Sequence, residues 1–276
     1  AYLVHHSPAV VGYKDIDELL SNAPFYRHYC EIAASLGYDP ELIVFGSKRR
    51  TTSIGDFPVQ VFPVTLGSSF GTELSAGALR YPRRERPAVL HVNGCTQLNL
   101  IPIVRACDAQ RTVLTHHGPE IAIETVREKF KRQLLCRYLF PVVDDILSVN
   151  EAELANLRSD GVADEKLRYF PNVVDTEQFS PHQQPVCRKE LDIPVDSRCL
   201  LFVGRLVPLK GVSDLITALG MLSTTPDDLS VKLVYGAQTA DEYDQVCRLI
   251  ENHNLGDTVH LVGAVPHERL PLYYNA

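Results

Sequence analysis

The 276-residue chain has no apolar run near the ~18 residues that a membrane-spanning helix requires, and its N-terminus has neither the basic start nor the apolar block of a signal peptide. These two absences predict a cytoplasmic protein, or one peripheral to the inner face of a membrane. Cys-x-x-Cys is missing as well. The seven cysteines, at 30, 95, 107, 136, 187, 199 and 247, are odd in number and scattered, which argues against a disulfide framework and against a zinc site, and leaves buried free thiols. There is no excess of positive charge: 34 acidic residues against 27 basic ones give a net charge of −7, which disfavours a broad nucleic-acid-binding surface. There is no repeat of fixed period and no low-complexity tract, which argues against a solenoid. What is present is an ordinary globular composition, 45% hydrophobic and 22% charged. At a rough ~150 residues per domain the length predicts a little under two domains.

Short runs rich in Val, Ile, Leu and Phe recur with helical stretches between them, the pattern of βα units on a parallel sheet. In the first part the strand candidates are Ala1 to His6, Glu41 to Gly46, Val59 to Val64, Ala88 to Asn93, Thr112 to His117, Asp145 to Asn150 and Leu167 to Asn172. Several are continuous apolar runs ending in a polar residue, as expected of strands buried on both faces. Phe25, Tyr29, Ile32 and Leu36 form a helical apolar stripe that Gly37 stops. Asn150 before Glu151-Ala-Glu153 reads as an N-cap, so that strand should pass straight into a helix. The polar, Pro-containing stretch from Pro171 to Pro185 breaks the rhythm, and the domain boundary is placed there, between 180 and 181. Beyond it the strands Cys199 to Gly204, Val231 to Gly236 and Val259 to Ala264 alternate with helical stripes. Three strands in residues 181–276 are too few for a complete doubly wound domain.

The sharpest local feature is Leu201-Phe-Val-Gly204-Arg205-Leu-Val-Pro208-Leu-Lys210-Gly211. It reads as an apolar strand that breaks at Gly204 and re-enters a helix near Gly211. Two cations then sit at the carboxyl end of a parallel strand and at the start of a helix, where ligands of α/β folds bind and where a helix offers free N–H groups. A diphosphate fits: Arg205 can bind it in a fork and Lys210 as a mobile point charge. Two solvated surface cations would give the same spacing.

The segment Gly204-Arg205-Leu-Val-Pro-Leu-Lys210-Gly211, preceded about 30 residues earlier by Phe170-Pro-Asn-Val-Val-Asp175 with Phe179 after it, resembles the retaining, nucleotide-sugar-dependent glycosyltransferases of family 4, the glycosyl transferases group 1. Thr115-His-His117-Gly118, Ile146-Leu-Ser148 and Val259-His-Leu-Val-Gly263 extend the likeness over nearly the whole chain. The resemblance implies an α/β GT-B fold: two Rossmann-like doubly wound domains facing a cleft, an acceptor-side domain over 1–180 and the first part of a nucleotide-sugar-binding domain over 181–276. It implies transfer of a hexose from a UDP- or GDP-sugar to an acceptor hydroxyl with retention of configuration and without a metal. No cofactor beyond the donor substrate is expected. In that scheme Arg205 and Lys210 hold the donor diphosphate and are catalytic, and His117 contacts the transferred sugar. The backbone at Gly12 and Gly204 approaches the phosphates, and Gly263, Ala264 and Val265 meet the nucleobase.

The chain departs from the family pattern at several places. Val10-Val11-Gly12 offers one glycine where a pair is common, Val173 stands where the Pro-Asn turn often has glycine, and Asn93 replaces a frequent histidine. The Glu-x7-Glu motif that contacts the donor should follow Tyr273-Tyr274-Asn275-Ala276, so the chain reads as a C-terminally truncated fragment that lacks it. A non-catalytic GT-B-like nucleotide-binding or scaffold protein is the alternative these departures leave open. A dinucleotide-dependent dehydrogenase is disfavoured because no Gly-x-Gly-x-x-Gly follows either leading strand. The basic amphipathic stretch 127–140 and the basic loop Arg80 to Arg86 are solvated faces on physical grounds; the resemblance adds contact with an anionic membrane or a lipid-linked acceptor. Sugars and small molecules are the other acceptors that the resemblance implies. Histidines at 5, 6, 28, 91 and 267 have no ligand spacing, and no metal is expected.

Overall fold

The computed structural model describes residues 1–4, 6–11, 13–22, 25–69, 71–116, 125–222 and 228–276. They fall into two compact units, Ala1–Asn172 and Val173–Ala276.

In the first unit, β1 (Tyr2–Val4), β2 (Leu42–Gly46), β3 (Arg50–Ile54), β4 (Phe57–Pro63), β5 (Val89–Asn93), β6 (Arg111–His116), β7 (Asp145–Ser148) and β8 (Leu167–Tyr169) make one sheet in the order β3-β4-β2-β1-β5-β6-β7-β8. Every pairing is parallel except the hairpin of β3 with β4. The seven parallel strands lie where the apolar runs predict them; β3 is an addition. Arg50-Thr-Thr-Ser is a polar edge strand, exposed for most of its length, so it carries none of the apolar signal of the others. It is joined to β4 by Gly55, at φ +58, and Asp56.

Strand alternation sorts the core into two layers. Leu3, Ile43, Phe45, Leu90, Val92, Leu114 and Ile146 point to one face, where α3 (Ala76–Glu85), α4 (Leu100–Ala106), α5 (Val126–Tyr138) and α6 (Glu151–Ser159) supply Ala78, Ile103, Leu135, Leu154 and Leu157, joined by Leu139 just after α5. Tyr2, Val4, Leu42, Val44, Val59 and Val61 point to the other, covered by Ile16, Leu19 and Leu20 of α1 (Ile16–Asn22) and Tyr26 of α2 (Phe25–Ser35).

Three local expectations change. The stripe expected to bury α2 lies largely on its outer side: Phe25, Ile32 and Leu36 are exposed, and the helix packs through Tyr26 and Cys30 instead, with Tyr29 stacked on Tyr2 at 4.9 Å. The ring contacts of Tyr2 with Tyr26 and Tyr29 turn the helix, which apolar counting does not capture. The basic stretch from Arg80 is no loop but the second half of α3, capped by Ser75 Oγ and carrying Pro82 inside the helix. Arg83 and Arg84 fall in its last turn, where cations complement the helix dipole. The third change is that four of the free cysteines are only partly buried; Cys30, Cys95 and Cys187 are fully so, and burial pushes the Cys30 thiol up to about 11.

The second unit has a three-stranded parallel sheet, β11-β10-β9, with β9 (Arg198–Leu206), β10 (Leu229–Gln238) and β11 (Val259–Gly263). Val212, Ile216 and Leu219 of α8 (Val212–Gly220) and Val246 and Ile250 of α9 (Ala240–Asn252) bury against Leu206, Val231, Leu233 and Val259. Residues 173–180, assigned from the sequence to the first domain, lie within this unit. Asp175 Oδ1 accepts from the N–H groups of Glu177 and Gln178, both at 3.0 Å, closing a turn that presents Phe179 edge-on to His267. Asn275 in α10 (Leu270–Asn275) donates to Ser180 O and accepts from His182 N–H. Beside it, α7 (Gln184–Glu190) contributes the buried guanidinium of Arg188, which donates to the carbonyls of Pro194, Val195, Ser197 and Ala276.

Leu114 is wholly buried in the middle of the first sheet. Leu114→Ala should therefore lower stability by about 2–5 kcal/mol, read as a lower urea midpoint at unchanged slope. A loss under about 0.5 kcal/mol would contradict this core assignment.

Candidate functional site

The carboxyl edge of the three-stranded sheet is where β9, β10 and β11 hand over to their loops. Gly204 is level with Tyr235 on one side of β10, and Gly263 is level with Val234 on the other. Two strand spacings, about 10 Å, thus separate the Gly204-Arg205 pair from Gly263 and the residues Ala264 and Val265 that follow it. Gly263 has φ +78, a conformation that an L side chain strains to adopt, and Ala264 beyond it is exposed.

The strand does not break at Gly204 as the sequence suggests. β9 continues through Arg205 to Leu206, and the interruption is on its neighbour: the β9–β10 register shifts between Tyr235 and Gln238, so β10 carries the irregularity opposite Arg205. Leu206 buried under α8 explains the extension, because it anchors the strand two residues beyond the glycine. Arg205 is left exposed on the edge. Pro208–Lys210 then forms a single 3-10 turn, closed by Lys210 N–H to Val207 O at 2.9 Å and Gly211 N–H to Pro208 O at 3.0 Å. Gly211, at φ +66, reverses the chain and opens α8 with no side-chain cap. The N-terminus of α8 therefore presents its first N–H groups beside Lys210, which is also exposed. Among the described residues neither Arg205 nor Lys210 takes part in an ion pair, whereas Arg198, at the other end of β9, is paired with Asp228 at 2.6 Å and its guanidinium pKa raised by that bond.

One element of this edge is not foreseen in the sequence. Glu242, in the first turn of α9, is buried and accepts from Ser213 Oγ at 2.9 Å, tying the start of α9 to the start of α8. An acid early in a helix was the only available signal. A groove of about 610 Å³ lies between Phe179, His267 and Tyr274, with Val174, Leu270 and Asn275 around it; the Asn275 side chain is already hydrogen-bonded.

In the first unit, His117 and Gly12 lie outside the described residues. His116 is buried at the end of β6 with Glu153 Oε1 3.8 Å from its Nε2. Asn93, at the end of β5, hydrogen-bonds the Tyr26 hydroxyl, and His91 Nε2 lies 2.5 Å from Thr115 Oγ1. After β1, Ser7 is held by Glu73, and burial pushes the adjacent His6 imidazole below its ordinary value. Among the described residues no three His, Cys, Asp or Glu side chains are grouped as metal ligands would be.

Two α/β units, each built on a largely parallel sheet, fit the GT-B class of fold, and the second presents two cations and a helix N-terminus at its carboxyl edge. The family model described as Glycosyltransferase Family 4 matches residues 26–178, more than half of the chain, the one described as Glycosyl transferases group 1 matches residues 183–276, and the chain belongs to this family of glycosyltransferases. Among curated proteins it is similar to D-inositol 3-phosphate glycosyltransferase 1 of Catenulispora acidiphila, 32% identical over 123 residues that are 42% of this chain and 29% of that one. It is also similar to the GDP-mannose-dependent alpha-(1-6)-phosphatidylinositol monomannoside mannosyltransferase of Mycobacterium tuberculosis, 26% identical over 178 residues, 63% of this chain and 44% of the relative. The chain thus spans under half the length of either. Among solved structures, sucrose-phosphate synthase from Thermosynechococcus elongatus superposes with a TM-score of 0.69 at 19% identity, over 99% of this chain and 72% of that one. HepE of Anabaena, solved with UDP and glucose, superposes with a TM-score of 0.63 at 18% identity, over 99% and 70%. These two likenesses establish the fold.

Gly211 and Gly236 make a paired test of the local geometry. Gly211→Ala should cost about 1 kcal/mol because its left-handed backbone opposes a Cβ, while Gly236→Ala, where an added Cβ meets nothing within 4 Å, should be neutral or slightly stabilising. Thermal melting of the two variants reads the difference; equal midpoints would refute the assignment.

Proposed function

We propose that the protein transfers a hexose from a UDP- or GDP-sugar to an acceptor hydroxyl, with retention of configuration and without a metal ion. The observation that carries this reading is the pair Arg205 and Lys210, exposed, with no carboxylate paired to either among the described residues, beside the uncapped start of α8. Cations with no protein counter-charge are suited to an anion with several oxygens. As the bond between the sugar's anomeric carbon and the diphosphate oxygen breaks, negative charge builds on the departing nucleoside diphosphate. A guanidinium fork, an ammonium and the N–H groups of a helix start would stabilise that charge most in the transition state, which is the condition for catalysis. They would do the work a metal does elsewhere.

The remaining roles follow the family resemblance. Gly12 and Gly204 let backbone approach the donor, Gly263, Ala264 and Val265 meet the base, and His117 contacts the sugar. Relatives named for GDP-mannose and a structural neighbour solved with UDP support a nucleotide-sugar donor. Relatives named for inositol phosphate and phosphatidylinositol mannoside support a hydroxyl-rich acceptor, free or lipid-linked. No helix among the described residues is long and apolar enough to cross a membrane. Contact with a membrane surface would instead use α5, which exposes Val126 and Phe130 beside Lys129.

Calorimetry with UDP, GDP and their sugars tests the proposal. One of the two nucleotide sets should bind, and Arg205→Ala or Lys210→Ala should each weaken it about 10- to 100-fold, the equivalent of one charge-assisted hydrogen bond. Full affinity and full transfer by both variants would overturn the diphosphate assignment. Absence of binding by the wild-type protein would favour a scaffold.

A further inference from the structure

The first unit has a topological switch point between β1 and β5. From β1 the sheet grows through β2 and β4 to β3, and from β5 it grows the opposite way through β6 and β7 to β8. In open parallel sheets, ligands bind in the crevice at the carboxyl ends of such a strand pair. The chain leaving β1 at that crevice is held by a residue distant in sequence. Glu73 Oε2 accepts from Ser7 N–H at 2.6 Å, and its Oε1 accepts from Ser7 Oγ at 2.7 Å. Both residues are buried, and Glu73 is 4% exposed.

Glu73 is itself braced. Its carbonyl accepts from Asn99 Nδ2 at 2.8 Å, at the start of α4, and Leu66 and Leu74 bridge the base of the loop that carries it. Gly67, at φ +82, allows that loop to close, since a Cβ there would overlap the Thr72 carbonyl. Among the described residues no ion pair compensates the buried carboxylate, so it is a poor device for stability alone. What it does is fix one serine through backbone and side chain together. Directly after Ser7 comes the 3-10 turn Pro8–Val11, closed by Tyr13 N–H to Pro8 O at 3.0 Å. A two-point grip on Ser7 sets the direction in which that turn leaves the sheet.

We infer that Glu73 is a positioning residue: by gripping Ser7 it holds the Pro8–Val11 turn in place at the substrate crevice of the first unit. The inference rests on the glycosyltransferase reading for its consequence in turnover, though the grip itself does not. The test compares wild type, Glu73→Met, which keeps the length of the side chain but removes both acceptor oxygens, and Ser7→Ala, which removes only the hydroxyl. With UDP- and GDP-sugar donors, Glu73→Met should lower kcat about 100-fold, the penalty of a misplaced reacting group, and leave nucleotide Kd within about twofold because Arg205 and Lys210 are untouched. Ser7→Ala should lose less, and the double variant should be no worse than Glu73→Met. Hydrogen exchange reads the grip without catalysis: amides of residues 7 and 9–11 should exchange about tenfold faster in Glu73→Met, with residues 2–4 unchanged. Unaltered exchange at 7 and 9–11, or unaltered kcat in an active enzyme, overturns the inference. Faster exchange in a protein whose wild type binds neither nucleotide upholds the grip and defeats the glycosyltransferase reading. Should Glu73→Met not fold, Ser7→Ala carries the same two measurements.

Discussion

Two parallel strands cannot be joined by a hairpin; the chain must cross back over a face of the sheet before it can pair again. Most of the structure depends on this constraint. The crossings bring helices onto the sheet, the helices bury strand residues such as Leu3, Ile43, Leu90 and Leu114 completely, and buried strands must be apolar along their length. The same constraint sends the parallel strands of a sheet in one direction, so their carboxyl ends reach a common edge of that sheet. Polar residues displaced from the core collect in the loops there. In the second unit that edge carries Gly204, Arg205 and Gly263, and in the first it carries Ser7, Asn93 and His116.

At that edge, charge is arranged by what is left out. Arg198 and Arg111, away from the edge, are matched by Asp228 and Asp145, and their guanidinium pKa values are raised accordingly. Arg205 and Lys210 have no such match among the described residues, although the protein as a whole is acidic. Surface ion pairs add little stability, so leaving two cations unpaired costs the fold little, and it leaves them free for an anionic ligand. Gly211 places the N-terminus of α8 beside them by adopting a backbone conformation that other residues avoid. The partly buried bond from Ser213 to Glu242 ties that helix start to α9, which keeps the arrangement in place before any ligand arrives.

The parallel strands were legible because burial on both faces writes continuous apolar runs, and α6 was legible because Asn150 caps it with a hydrogen bond to Ala152 N–H at 2.9 Å. Features set by partners remote in sequence were not. The α2 stripe misleads because the contacts of Tyr2 with Tyr26 and Tyr29, from another element, decide which side is buried. The basic run at Arg80 reads as a loop because Pro82 signals a break, yet the Ser75 cap begins a helix that accommodates it. Of the site, the order and spacing of Gly204, Arg205, Lys210 and Gly263 were visible, and the structure puts Arg205 within the strand, not after it. Glu73 left no mark in the sequence: its role exists only through Ser7, across 66 positions of chain.

On the proposed function, the second unit holds a nucleoside diphosphate at the carboxyl edge of its sheet. A crystal structure of the protein with UDP or GDP tests it most directly. The diphosphate oxygens should lie at about 3 Å from the Arg205 guanidinium and the Lys210 ammonium, in line with the start of α8, and the base against Gly263 to Val265. A nucleotide bound elsewhere, with Arg205 and Lys210 still in solvent, would contradict it.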